Sequence, residues 1–373
     1  MSTKKAKVAQ LAKTTILFTL ILTMSIIVVG ISEENVTVPQ DAINPKYFSQ
    51  LSATQLAQSK VTVPKSWVKE SYFEKKKKED SQVDDFSNVN WRWGLEKINA
   101  PQAWEYTQGE GIVVAVIDGG IDFDHHALQG KAWTNPDEVS GNGKDDDFND
   151  YKDDMHGWDF IDWDSSSVEG SRINEHGTEM AILATNVAPK VRIMDLRVAK
   201  ADESLASWKG FRRAFVYALE KGADIISFSI NFDYNTSLFY YFKKAVEKTA
   251  KEVLIFGASG NASSGVQPPA TMEEILAVAA VDRRNNLYER SNTGPDIFLA
   301  GPGEGTSFAV PHVAGVAALV LSINPELKPN EVIDILASTA TDLGPPGRDE
   351  KFGYGLVDAE AAVKKALEMK KES

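Results

Sequence analysis

From Val89 onward the chain alternates between two apolar patterns, and this alternation limits the available folds more than any other feature. Short β-rich runs occur at 112–117, 191–198, 224–230, 253–256 and 275–281. Segments with helical spacing lie between or after them, at 205–221, 238–251, 307–322 and 330–340. Strands that are apolar on both faces need cover on both sides, which interleaved helices supply in a parallel sheet. The expectation is an α/β fold: a three-layer sandwich with a mostly parallel central sheet. In such sheets the functional site lies at the carboxyl ends of the strands.

Composition narrows the function. Hydrophobic residues make up 43% and charged residues 25% of 373 positions, enough apolar side chain for a large core. Asp and Glu outnumber Lys and Arg by 53 to 40. A net charge of −13 argues against a nucleic-acid partner, because phosphate contacts need basic side chains. The absence of cysteine excludes disulfides, thiol catalysis and thiolate metal sites.

The N-terminus differs from the rest. Lys4, Lys5, Lys7 and Lys13 precede an uncharged, largely aliphatic run of nineteen residues at 14–32. This is a basic segment followed by an apolar one, as in an export signal, and the run is also about long enough to span a bilayer. Residues 1–32 are therefore expected to be a cleaved signal peptide or a retained membrane anchor, with the remainder outside the cytoplasm. Residues 33–88, with the charge run Lys75-Lys76-Lys77-Lys78-Glu79-Asp80, are expected to form a pro-segment or linker. Residues 89–373 form the globular part.

Three segments carry chemistry. Val113-Val114-Ala115-Val116-Ile117-Asp118-Gly119-Gly120 is a buried strand ending in a carboxylate and two glycines. His176-Gly177-Thr178-Glu179-Met180-Ala181 opens a helix with a histidine. Gly305-Thr306-Ser307-Phe308-Ala309-Val310-Pro311-His312 places a serine at the start of a helix of small residues. Free N–H groups there would stabilise an anion. An α/β-hydrolase would run serine, acid, histidine, whereas this chain runs Asp118, His176, Ser307, the subtilisin order.

With these motifs the chain, from about Val89 to Leu367, resembles the subtilisin-like serine proteases (subtilases, peptidase family S8). Further matching strings are Trp93-Gly94-Leu95-Glu96-Lys97-Ile98, Gly257-Ala258-Ser259-Gly260-Asn261 and Gly353-Tyr354-Gly355-Leu356-Val357-Asp358. The resemblance implies an exported serine endopeptidase acting on polypeptides, with no cofactor in the chemistry. It assigns Ser307 as nucleophile, His176 as general base and Asp118 as its orienting carboxylate. Asn261 would donate to the oxyanion. Substrate would add as a strand beside Ser229, Ile230 and Asn231 and beside Ala258, Ser259 and Gly260. The alternative within the family is a catalytically silent fold acting as a binding module.

Some features depart from the family. Only eight residues separate His176-Gly177-Thr178 from Val187-Ala188-Pro189, where many relatives carry a longer calcium-binding loop. Glu304 alone joins Gly301-Pro302-Gly303 to Gly305-Thr306-Ser307. Asn231 stands where glycine is usual, so its side chain is expected to narrow the specificity pocket. Between Asp118 and His176, segment 137–164 holds eleven acidic residues against Lys144 and Lys152. Asp145, Asp147, Asn149, Tyr151 (through its carbonyl) and Asp153 fall at alternate positions that suit calcium. A structural calcium ion is expected there, in a loop that departs from an EF-hand by having Asp150 and His156 at its sixth and twelfth positions.

Overall fold

The computed structural model describes residues 92–165, 175–199, 208–232, 242–244, 246 and 252–372. In chain order the elements are helices α1 (Arg92–Lys97) and α2 (Ala100–Ala103), strands β1 (Val113–Asp118) and β2 (Gly157–Asp159), and helix α3 (Glu175–Val187). There follow β3 (Arg192–Arg197), α4 (Trp208–Glu220), β4 (Ile225–Phe228), β5 (Leu254–Ala258), β6 (Leu276–Val281) and β7 (Ile297–Pro302). Helices α5 (Thr306–Ile323), α6 (Pro329–Thr339) and α7 (Ala359–Glu372) complete the chain.

The strands form one seven-stranded sheet in the order β2-β3-β1-β4-β5-β6-β7, with every pair parallel. Strands β4, β5 and β6 are buried along their full length, and β1 is buried beyond its first residue. That is why their sequences read as continuous apolar runs. Helices α3 and α5 pack on each other and on the sheet, and α4 packs on β1 and β3, giving the layered α/β architecture. Helix α5 is long and apolar enough to cross a membrane, but here it is buried as a core helix. Its small residues Ala309, Ala314, Ala317 and Ala318 are all inaccessible and let it lie close on the strands.

Strand order reverses at β1. From β1 the chain goes to β2 at the edge, comes back to place β3 between β2 and β1, and then adds β4 on the other side of β1. This switch point opens a crevice at the carboxyl ends of β1 and β4, the usual place for a site in such a sheet. Strands β2 and β7, absent from the sequence expectation, are the two edges. The expected helix at 238–251 lies mostly outside the described residues, as do the segments 1–32 and 33–88.

Candidate active site

Asp118 is the last residue of β1 and is 3% exposed. Its Oδ1 accepts from Gly119 N at 2.7 Å and from His176 Nδ1 at 2.8 Å. The carboxylate is thus fixed by its own turn before it meets the imidazole. His176 sits in the first turn of α3, with its side chain 34% exposed. Its Nδ1 is held by a buried acid, which fixes the orientation of the ring. Thr178, two residues further, accepts from Asp122 N at 2.9 Å and ties the helix start to the loop after β1.

Ser307 is the second residue of α5. Its Oγ lies 3.5 Å from Ser229 O. Pro311 has no N–H, so it cannot make the ordinary i to i−4 bond to the Ser307 carbonyl. Ser229 Oγ takes that place, donating to Ser307 O at 3.0 Å. The helix interruption therefore ties the serine to the segment following β4. The sequence carried a signal for this contact, a proline four residues after the serine, but not its partner.

Asn261 follows β5. Its Oδ1 accepts from Thr306 N at 2.9 Å and from Thr306 Oγ1 at 3.2 Å, and Thr306 Oγ1 also accepts from Gly260 N. With the oxygen so held, the orientation of the Asn261 amide is fixed. Thr306 is a positioning residue that sequence reasoning did not single out.

The expected substrate-binding segments lie side by side. Strands β4 and β5 are paired as far as Phe228 and Gly257, and Ser229, Ile230 and Asn231 follow the one strand as Ala258, Ser259 and Gly260 end and follow the other. Asn231 Nδ2 donates to Ala258 O at 2.9 Å, so its side chain crosses from one segment to the other.

A family model described as the subtilase family matches residues 109–355. The chain belongs to the subtilase family. It is 31% identical to thermitase of Thermoactinomyces vulgaris, over 62% of this chain and 82% of thermitase. It is 32% identical to alkaline elastase YaB of a Bacillus strain, over 77% of this chain and 73% of that protein. A halolysin-like extracellular serine protease of Natrialba magadii is 31% identical over 73% of this chain, which spans about half (51%) of that protein's length. The crystal structure of a lanthipeptide protease is similar, with a TM-score of 0.61 and 25% identity, covering 74% of this chain and 97% of the other. The class of this subtilase is that of the serine endopeptidases.

In this subtilase most of the acidic segment is already occupied by protein donors. Both Asp153 oxygens accept backbone N–H groups, from Asn142 and Gly143. Asp145 accepts from Asn149 N and Asp150 N. Asn149 accepts from Tyr151 N and donates to Asp154 Oδ2. Asp154, fully buried, also receives Asn135 Nδ2 and the Tyr217 hydroxyl. Asp159 and Asp162 pair with the buried Arg197 of β3.

The acids that converge are Glu138, Asp145 and Asp147, whose ligand oxygens lie within 4.8 Å of one another. Of the five residues expected from spacing, Asp145 and Asp147 belong to this cluster. Glu138 was missed because it lies outside the alternating pattern. Glu138 is 7% exposed, and its Oε2 and Asp147 Oδ1 are buried without a partner. Burial, reinforced by Asp154 and Asp147, raises the Glu138 pKa above the usual carboxylate range. Burial also acts to raise Asp147, but Lys221 of the α4 terminus and Asn135 bind its Oδ2 and the net direction is downward.

Proposed function

We propose that the protein is an exported serine endopeptidase that hydrolyses peptide bonds through an acyl-enzyme. The observation that carries this reading is the buried Asp118 carboxylate bonded to His176 Nδ1 at 2.8 Å. It lies at the carboxyl end of the central strand β1, next to β4, after which Ser229 is tied to the helix bearing Ser307. Ser307 Oγ attacks the scissile carbonyl carbon while His176 Nε2 takes its proton. The imidazolium is stabilised by Asp118, and the tetrahedral oxyanion by Asn261 Nδ2 with the Ser307 N–H. Collapse breaks the C–N bond, and the proton on His176 passes to the leaving amine. Water, deprotonated by the same imidazole, then attacks the acyl-enzyme and releases the acid. No cofactor takes part in these steps. Substrate adds as an extended strand along Ser229, Ile230 and Asn231 and along Ala258, Ser259 and Gly260.

Calcium is proposed as a structural ion. Two buried, unpartnered carboxylate oxygens in one acidic cluster suit a hard cation with oxygen ligands. Glu138, Asp145 and Asp147 would hold it, between the motifs of Asp118 and His176 and away from the chemistry. Residues 14–32 would direct export or anchor the chain, and residues 33–88 would serve as a pro-segment or linker.

The test is labelling with a fluorophosphonate, which phosphonylates an activated serine. The expected result is one label on the wild type and none on Ser307→Ala. A folded wild-type protein that takes no label would refute the proposal and favour a silent binding module.

A further inference from the structure

We infer that the side chains of Asn231 and Gln267 fill the pocket beside Ser307, so that the enzyme cleaves after residues with small side chains. This rests on the endopeptidase reading above. A substrate strand with its scissile carbonyl at Ser307 runs over the gap between Ser229–Asn231 and Ala258–Gly260. The two segments follow strands whose ladder ends at Phe228 and Gly257, and we place the substrate side chain between them beyond that point. In an extended substrate alternate side chains point to opposite faces, and with the scissile carbonyl at Ser307 we take the residue supplying it to face this gap.

Here the gap is bridged. Asn231 Nδ2 donates across it to Ala258 O at 2.9 Å. Beneath it, Gln267 N donates to Ser259 O at 3.0 Å and Phe232 N to Pro268 O at 2.9 Å. These two bonds draw the 267–268 segment against both walls. The Gln267 carboxamide lies beside Gly260, where a built Cβ would stand 2.3 Å from its Oε1 and 2.4 Å from the Nδ2 of the buried Asn292. Two amides therefore occupy the space that a large side chain needs. A phenylalanine or leucine would have to displace the Asn231 amide from Ala258 O and leave that carbonyl unpaired. Glycine, alanine and serine need no such displacement.

The experiment is a peptide series varied only at the residue before the scissile bond, cleaved by the full chain and by Asn231→Gly, Gln267→Gly and the double variant. For the wild type, kcat/KM for alanine should exceed that for phenylalanine by tenfold or more. In the double variant the ratio of phenylalanine to alanine should rise by about tenfold to a hundredfold, the range set by burying an aromatic ring. Asn231→Ser and Gln267→Ala give smaller rises in the same direction and serve if a glycine variant fails to fold. A wild-type preference for large residues, or a ratio unmoved by every folded variant, overturns the inference while fluorophosphonate labelling upholds the endopeptidase reading. No cleavage and no labelling overturn both.

Discussion

Gly177 is the point at which the catalytic geometry is most exposed to a single methyl group. A Cβ built there stands 2.3 Å from the Gly120 carbonyl oxygen and 3.2 Å from Asp118 Cβ. Ordinary contact begins at 3.4 Å, so the start of α3 must retreat by about 1 Å from the loop after β1. The obstacle is backbone and cannot rotate away. The retreat acts one residue from His176, whose bond to Asp118 is 2.8 Å long. Lengthened by about 1 Å, that contact is no longer a hydrogen bond. Misplacement on this scale costs roughly 10²-fold in rate, and overpacking costs about 1–3 kcal/mol in stability. Gly177→Ala should therefore lower kcat/KM about a hundredfold, measured on a peptide with alanine before the scissile bond. Gly315→Ala is the control. Its Cβ would stand 2.6 Å from Val187 Cβ, where α5 crosses α3 remote from Ser307, so it should cost similar stability with a much smaller loss of rate. Melting curves in a Ser307→Ala background separate stability from self-digestion. If Gly177→Ala keeps kcat/KM within threefold of wild type, or Gly315→Ala loses as much, the geometric argument is wrong.

Two further outcomes follow from buried groups outside the catalytic set. A chelator should lower the melting temperature and added calcium restore it. Saturation at a hundredfold excess over Kd is worth about 2.7 kcal/mol. Glu138→Gln with Asp147→Asn should abolish the calcium response, and identical melting curves with and without chelator in the wild type would remove the site. His312 is fully buried, with Nδ1 bonded to Phe308 O at 2.7 Å. Burial lowers its pKa from 6.5 to about 4, against a smaller opposing effect of that carbonyl. The unfolded chain therefore takes up this proton first. The stability contributed by neutral His312 is complete above about pH 6.5 and is lost as pH falls toward 4, an amount of about 3 kcal/mol. Denaturant unfolding between pH 7 and 4 should show a shallower pH dependence in His312→Gln than in the wild type, both in the Ser307→Ala background. Parallel dependences would contradict the assignment.

The central strands were legible because burial on both faces leaves no polar position to interrupt them. Strand β1 was read as 112–117 and spans Val113–Asp118, and β6 was read as 275–281 and spans Leu276–Val281. The edges were not legible, for different reasons. Strand β2 has three residues and no run to recognise. Strand β7 ends in Gly301-Pro302, which reads as a loop, yet a proline without an N–H is tolerated at a sheet edge. Helix α5 was legible from its small residues, while the role of Pro311 was not, because the serine that replaces its missing donor comes from the segment after β4, 78 positions before Ser307.

The acidic segment shows how charge counting misleads when donors are unseen. Eleven acids against two lysines suggested one large unbalanced charge that a cation must offset. In the fold, Arg197 and Lys221 enter from outside the segment, and backbone N–H groups satisfy Asp145 and Asp153. The buried carboxylate oxygens of the segment left without a partner are Glu138 Oε2 and Asp147 Oδ1, with Asp145 close beside them. The same reasoning separates catalysis from specificity. Asp118, His176 and Ser307 announce themselves because each sits at the end of a strand or the start of a helix, inside a short string that the local backbone requires. The proposed specificity pocket has no such string. It depends on Asn231, Ala258, Ser259 and Gln267 arriving at one gap from three separate stretches of chain. An asparagine in place of a glycine hinted at one wall, but only the meeting of the three stretches reveals that both amides occupy the same space.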